Sequence, residues 1–462
     1  MQPVRVKDIA YLQDSALLFA ALRDLPEAIW LDSGKPRSLQ GCFDIISACP
    51  DQLLETRGKV TTVTDAGGSR STTEDPFQLA TQLLQPLLDI EPCAEIPFMG
   101  GLLGYFGYDL GRSVVDIPNI AATVADLPDM RVGRYLWSLV VNHEARRSQL
   151  IFHPLCPVSV ETEISERLAS ISDRHLTRGQ KFKLTSPFKP TLCKDDYRQS
   201  IATIKNYIAS GDCYQTNFTQ HLSAQYQGDL WLAYLALREA TPAPYGAFWQ
   251  WSEQAILSIS PERFIKTDIE QDQICVESKP IKGTILRGSS VEEDQENAIQ
   301  LVNSSKDRAE NLMIVDLLRN DLGKNCEPGS IRVPKLFSLE SFPNVHHLVS
   351  TVNGVLRSDR SAIDLLRDSF PGGSITGAPK KRAMEIIEEL EPVRRSVYCG
   401  SIGYISASRR MDTNIAIRTM VADGTSIHCW GGGGIVADSE ADAEYEESMN
   451  KIRALLNCLE AL

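Results

Sequence analysis

The chain has 462 residues, about three times a typical domain, so it holds two or three domains or one large composite one. Hydrophobic residues make up 43% and charged residues 23%, which excludes disordered and fibrous classes. A formal net charge of -13 and a pI near 5.2 repel phosphate backbones and anionic lipid, so neither nucleic acid nor a membrane is an expected partner.

A protein this acidic that works on an anionic substrate needs a local cation, and a bound metal is one way to supply it. The opening Met1 to Asp8 lacks an apolar core followed by a small-residue cleavage site, and no stretch approaches 18 uncharged apolar residues; a cytoplasmic protein is expected. The 11 cysteines form no C-x-x-C pair and are odd in number, which reads as reduced thiols and argues against zinc or thioredoxin-like chemistry.

In chain order, the first distinctive stretch is 100–112, where glycines mix with aromatics as in bulged or closely approached strands. Near 155–195, Pro154, Pro157, Pro187 and Pro190 interrupt the periodicity, which divides the chain into 1–155, a connecting segment 156–194, and 195–462. Strand patterns then fall at 255–259, 273–276 and 415–421, and helices at 307–320, 379–391 and 439–460. Pro379 suits a first helical position and Pro392 a stop, while Ser439 is a candidate N-cap with Asp442 three residues on. Strands and helices do not alternate with Rossmann regularity, so the class is α+β.

Several constellations could carry chemistry. Glu262, in 260–264, reads either as an arginine partner or as a carboxyl kept protonated in apolar surroundings to act as a general acid. Lys282, beside a glycine, is either a solvated surface lysine or a nucleophile. The latter must lose a proton, and against an ordinary value near 10.4 this needs burial or a cationic neighbour.

Asp307 and Glu310 share a helix face, as do Glu440, Glu444, Glu447 and Lys451 on the last helix. On pattern alone the latter reads first as a solvated face with a Glu447–Lys451 pair worth a few tenths of a kcal/mol. If the two acidic faces meet, four hard oxygen donors converge, which suits Mg²⁺. The glycine run 431–435 reads as a flexible turn or as backbone closing on a ligand anion, and 371–379, ahead of a helix, offers a second anion site by the same physics.

Taken together, Ser260-Pro-Glu-Arg-Phe264, Pro280-Ile-Lys-Gly-Thr284, Asp307-Arg-Ala-Glu-Asn311, His346-His-Leu-Val-Ser350, Ser374-Ile-Thr-Gly-Ala-Pro379 and Cys399-Gly-Ser-Ile-Gly-Tyr404 resemble the chorismate-binding enzyme family in words, order and spacing. The resemblance covers roughly 195–455, a catalytic region, and 100–112 resembles the family's N-terminal region, like that of anthranilate synthase component I. It implies two stacked, largely antiparallel β-sheets flanked by helices, a four-layer sandwich.

Within the family Lys282 is similar to the lysine of the aminodeoxychorismate synthase branch, where anthranilate synthases carry a small residue. At the position where isochorismate synthases carry a water-activating lysine, this sequence has Gln215. The resemblance implies Glu310 and Glu447 as magnesium ligands, with Asp307 and Glu444 supporting through water. It places Ser374, Thr376, Tyr398, Arg418, Gly433, Gly434, Lys451 and Gln215 around the substrate.

The implied chemistry has Lys282 attack C2 of chorismate while Glu262 protonates the C4 hydroxyl; ammonia then displaces the lysine, as in 4-aminobenzoate and folate biosynthesis. His347 is placed near the enolpyruvyl group. No G-x-C-x-G amidotransferase motif occurs, so a separate glutamine amidotransferase partner is expected to supply ammonia. Near the N-terminus the family's Leu-Leu-Glu-Ser becomes Trp30-Leu-Asp-Ser33, which keeps Ser33 for a structurally bound tryptophan and loses the glutamate of feedback control. The rival readings are anthranilate synthase component I, a pyridoxal phosphate enzyme with Lys282 as Schiff base, and a catalytically dead subunit that keeps the fold.

Overall fold

The protein is described as a computed structural model covering residues 2–171, 179–342 and 345–462. Strands here are far from their partners in sequence. Among the described residues they assemble into one sheet of 13 strands and one of 12, with antiparallel pairing between all named strands. Helices cover them, which gives the expected stacked α+β architecture.

Both sheets cross the proline-rich region at 155–195. In the first, Ile29–Asp32 pairs with Tyr245–Trp251, Gly246 opposite Asp32. In the second, Gly101–Phe106 pairs with Ser401–Ser406, Phe106 opposite Ser401. The N-terminal 155 residues therefore share hydrogen-bonded sheets with the last 268. The stretch between them carries the helix Val158–Ala169 and two short strands, Lys183–Leu184 and Lys189–Pro190.

Local chemistry accounts for the elements that matter. The run at 255–259 lies in the strand Gln254–Ser260, flanked on both sides by strands and buried on both faces, which is why it is apolar without alternation. The glycines at 100–112 permit close approach: Gly101 has φ +140, and a Cβ there would lie 2.2 Å from the Ile405 carbonyl oxygen.

The structure corrects several local expectations. The pattern at 415–421 is not one strand. Met411–Asn414 belongs to the second sheet and Thr419–Asp423 to the first, so 415–418 is a crossover between sheets. Apolar patterning cannot see this, because the crossover is as buried as the strands it joins. The glycine run is not a turn either; it ends the strand Ser426–Ile435, paired with Gln215–Gln227. Glycine is needed there because the last helix packs onto it: a Cβ on Gly431 would lie 2.6 Å from the Ser448 carbonyl oxygen.

The helices run Ser305–Gly323, Lys380–Leu390 and Ala441–Glu460. Pro379 occupies the N-cap of the second rather than its first turn, and Glu440, not Ser439, precedes the third. Ser439 instead donates its hydroxyl to Glu444 Oε1 at 2.7 Å. Among the described residues no helix is long and apolar enough to cross a membrane.

Candidate active site

Two chain crossings between the sheets define the cleft. One is 261–262, linking Gln254–Ser260 to Arg263–Glu270; the other is 415–418. They brace each other, since the Ile415 N–H donates to the Glu262 carbonyl at 3.0 Å and the Ile259 N–H to the Arg418 carbonyl at 3.0 Å. The two crossings are thus held alongside each other by backbone bonds, one at Glu262 and the other at Arg418.

Glu262 is buried, and burial pushes its carboxyl up to about 7, against a hydrogen bond from Ser374, the charge of Lys282 and a backbone bond from Ile281. The Ser374 hydroxyl donates to Oε1 at 3.1 Å. A carboxyl poised there holds a proton near neutrality and can give it up, as a general acid must. The rival expectation of a simple arginine partner is not what the geometry shows: Arg263 pairs with Asp412 and Glu277.

Arg418 is half-buried, and desolvation lowers its pKa. Among the described residues no carboxylate lies within ion-pair reach of it. A partly desolvated cation without a protein counter-charge is favoured by an anion that comes from elsewhere.

Lys282 stands on the strand Ile281–Leu286, its side chain 15% exposed and its Nζ 3.5 Å from Glu310 Oε2. The sequence reading asked for burial or a cationic neighbour; the structure supplies burial, and the immediate neighbour is an anion. Across from it is Gly434, where a Cβ would lie 3.1 Å from Lys282 Nζ and 2.2 Å from Gln215 Nε2. The glycine leaves room for both. Gln215 is fully buried, and neither end of its amide finds a hydrogen-bond partner among the described residues.

A lysine bridges the two acidic helix faces. Lys306, in the first turn of Ser305–Gly323, lies 3.7 Å from Glu444 Oε1 on the last helix, and Glu310, Glu447 and Asp307 also act on its charge. Glu447 is 2.8 Å from Lys451, which also donates to the Gly432 carbonyl at 2.9 Å. Burial works against the charge of Glu447, but Lys451, then Lys282 and Lys306, hold its carboxyl below the ordinary value. A Cβ on Gly433 would face Glu444 Oε2 and Lys451 Nζ at 3.4 Å each and Glu447 Oε1 at 3.7 Å, so that glycine opens onto the same space.

Among the described residues no three His, Cys, Asp or Glu side chains are grouped closely enough to hold a metal ion as they stand. The donor chemistry nevertheless fits one kind of ion. Asp307, Glu310, Glu444 and Glu447 are all hard oxygen donors, without thiolate or imidazole, which suits Mg²⁺ with retained waters.

The remaining expected residues fall as follows. Tyr398 is buried and stacked on Trp430, ring centroids 6.0 Å apart. His347 is buried, pushed down to about 4 by desolvation and by Arg418, and so neutral near pH 7; its Nδ1 is 2.7 Å from Thr284 Oγ1. The Thr376 hydroxyl donates to the Gly372 carbonyl at 2.9 Å, and its own carbonyl accepts from the Asn217 N–H at 2.7 Å, so it pins the loop that presents Ser374.

Ser33 lies far along the first sheet, its N–H and hydroxyl both donated to Asp44 at 2.7 and 2.6 Å. Nearby is a cavity of about 130 Å³ lined by Asp32, Gly41, Tyr245, Arg263, Asp412 and Asn414, with Ser33 outside its lining.

Sequence reasoning missed three groups here: the Ser374 bond to Glu262, the Ser439 bond to Glu444, and Lys306. Only Lys306 left a signal, as the residue immediately before Asp307. Arg395, buried, also went unnoticed; it ties the Ile375 and Asn217 carbonyls at 2.8 and 3.0 Å and so joins the Ser374 loop to the Gln215 strand.

A half-buried arginine without a carboxylate partner among the described residues, in the same cleft as a carboxyl held near neutrality, suits proton transfer to or from a small anionic substrate. Comparison with known proteins narrows that class. The model of the family described as chorismate binding enzyme matches residues 27–457, and the chain belongs to this family. It is a chorismate-utilising enzyme.

The chain is 46% identical over 455 residues to aminodeoxychorismate synthase component 1 of Escherichia coli (strain K12), covering 98% of each. It is 34% identical to anthranilate synthase component 1 of Synechocystis sp., covering 91% of this chain and 88% of that one. The crystal structure of anthranilate synthase component I from Streptococcus pneumoniae superposes with a TM-score of 0.79 at 31% identity, covering 91% of this chain and 93% of that one.

Proposed function

We propose that the chain is the synthetase subunit of an aminodeoxychorismate synthase, making 4-amino-4-deoxychorismate from chorismate and ammonia through a covalent bond to Lys282. The observation that carries the reading is Lys282 itself: a mostly buried amine on the cleft wall, with Gly434 leaving the space before it clear. The identity to aminodeoxychorismate synthase component 1 over nearly the whole chain supports it.

In the first half-reaction the Lys282 amine bonds to C2 of the ring, both ring double bonds shift by one position, and the C4–O bond breaks. Glu262 gives its proton to the departing hydroxyl, which leaves as water. In the second, ammonia bonds to C4, both double bonds return to their original places, and the C2–N bond to Lys282 breaks. The Glu262 carboxylate can then take up the proton that ammonia sheds. Covalent catalysis divides one difficult displacement into two easier ones.

Arg418 orients a substrate carboxylate, with its planar fork suited to bidentate contact. Ser374 and Lys451 are polar groups in reach of the same space, Tyr398 walls it, and neutral His347 offers a hydrogen bond without a charge. Glu310 and Glu447, with Asp307 and Glu444 through water, would hold Mg²⁺, which supplies positive charge to the substrate carboxylate. Gln215 cannot serve as a base toward water, which favours ammonia as nucleophile.

The ammonia source is a separate glutamine amidotransferase subunit, and the division of the chain into an N-terminal region, a connector and a catalytic region follows from the same reading. The cavity beside Asp32 and Asn414 is the place for a structurally bound tryptophan. The protein works in the cytoplasm.

Chorismate, Mg²⁺ and an ammonium salt, with product mass measured, test the reading. A product that keeps the enolpyruvyl group and gains an amine supports it; release of pyruvate with a fluorescent aromatic amine makes the chain an anthranilate synthase instead. Glutamine should substitute for ammonium only when an amidotransferase subunit is added.

A further inference from the structure

Three carboxylates of the cleft are each matched to a different lysine: Glu310 to Lys282 at 3.5 Å, Glu447 to Lys451 at 2.8 Å, and Glu444 to Lys306 at 3.7 Å. The three differ in how firmly they are held. Lys282 is mostly buried on a strand, and Lys451 is anchored by the Gly432 carbonyl as well as by Glu447. Lys306 is 52% exposed and its ion pair is longer than a hydrogen bond, while its partner Glu444 is only 4% exposed and is fixed by Ser439. A half-exposed lysine on a flexible stem can swing into water at little cost; a buried glutamate cannot leave.

We propose that Lys306 is a built-in stand-in cation: it neutralises the carboxylate cluster in the metal-free enzyme and is displaced when magnesium enters, so it sets the metal concentration at which the site loads. This rests on the assignment of the cluster to Mg²⁺ above.

Charge balance carries the argument. Before Lys282 gives up the proton it must lose to react, four carboxylates facing Lys282, Lys306 and Lys451 leave one net negative charge, a tolerable state for a cleft without metal. If a dication entered with all three lysines in place, the cluster would become positive by one. If Lys306 withdraws, the cluster is neutral. Since Lys306 alone of the three has both the exposure and the loose contact to move, it is the one that yields. Its place at the first turn of Ser305–Gly323 also matters, because Asp307 and Glu310 lie on that same helix and need not shift.

The test compares wild type with Lys306→Gln, Lys306→Arg and Glu310→Gln, by calorimetric titration of Mg²⁺ and by melting temperature in chelator. Lys306→Gln should bind Mg²⁺ about threefold to tenfold tighter than wild type, the size of one charge acting at about 4 Å in a half-exposed setting. Its metal-free form should melt lower, with the loss recovered on adding Mg²⁺. Lys306→Arg keeps the charge and should match wild type in both measurements.

If Lys306→Gln binds Mg²⁺ no tighter than wild type while Glu310→Gln loses binding, the stand-in role is overturned and the metal assignment survives. If wild type and Lys306→Gln alike bind no Mg²⁺, with or without chorismate, the metal assignment falls and the stand-in role with it.

Discussion

Glu262 and Glu447 line the same cleft, the first buried and the second with its side chain half exposed, and they are driven in opposite directions. Glu262 sits at a sheet crossover with one hydroxyl and one backbone N–H on it, and burial wins, lifting it to about 7. Glu447 sits on a helix face with Lys451 at 2.8 Å and further lysines behind, and the cations win. In this cleft the balance tips to burial at Glu262, which no cation among the described residues touches directly, and to charge at Glu447, which Lys451 does touch. One site therefore keeps an acid that can give up a proton and, beside it, carboxylates that stay charged for a cation.

The variants that break this comparison rank by what they remove. Lys282→Ala takes away the group between the two walls, and turnover should fall by about a thousandfold or more while chorismate affinity, measured by equilibrium titration, stays near wild type. Glu262→Gln removes the proton donor and should lower turnover by about 10²–10⁴-fold.

The same residue predicts two pH trends of known sign. Turnover limited by the Glu262 proton should decline as pH rises through about 7. Because the folded state holds this proton more tightly than the unfolded chain, stability from Glu262 is full below its ordinary value of 4.5 and is lost as pH rises through about 7. Glu262→Gln should therefore gain thermal stability relative to wild type at pH 8 and not at pH 4.

On the opposite wall, Glu310→Gln and Glu447→Gln each remove a negative charge from the proposed cation site. Both should cut turnover at ordinary Mg²⁺ by about tenfold or more and recover partly in excess Mg²⁺. The smallest effect is that of Ser374→Ala. It removes the hydrogen bond that favours ionised Glu262, so the decline in the pH–rate profile should move to higher pH with modest change in the maximal rate.

Much of this was legible in the sequence, because the family's motifs are short, contiguous and in order. Lys282, Glu262, Glu310 and Glu447 could be named from their local words, and so could the stacked antiparallel sheets. The pairings could not. Lys282 and Glu310 are 28 residues apart and meet because a strand end faces a helix start, which no periodicity encodes.

The run at 415–421 reads as one strand because β-branched and apolar residues suit either a strand or a buried crossing, and only the pairing partners show that the chain changes sheet at Arg418. The four glycines at 431–434 read as a turn because glycine is the residue of turns; their cause, a helix pressed onto a strand, lies some 17 residues further along the chain at Ser448. Ser374 was placed against the substrate by resemblance, and its bond to Glu262 depends on a loop held by Arg395 from outside every motif.

The central claim is the covalent role of Lys282, and intact-mass spectrometry with peptide mapping tests it most directly. With chorismate and Mg²⁺ but without ammonia, wild type quenched rapidly in acid should carry chorismate less one water on the peptide containing Lys282, and Lys282→Ala should carry nothing. If no adduct forms on wild type and Lys282→Ala makes 4-amino-4-deoxychorismate at near the wild-type rate, the lysine is a bystander and ammonia attacks the ring directly.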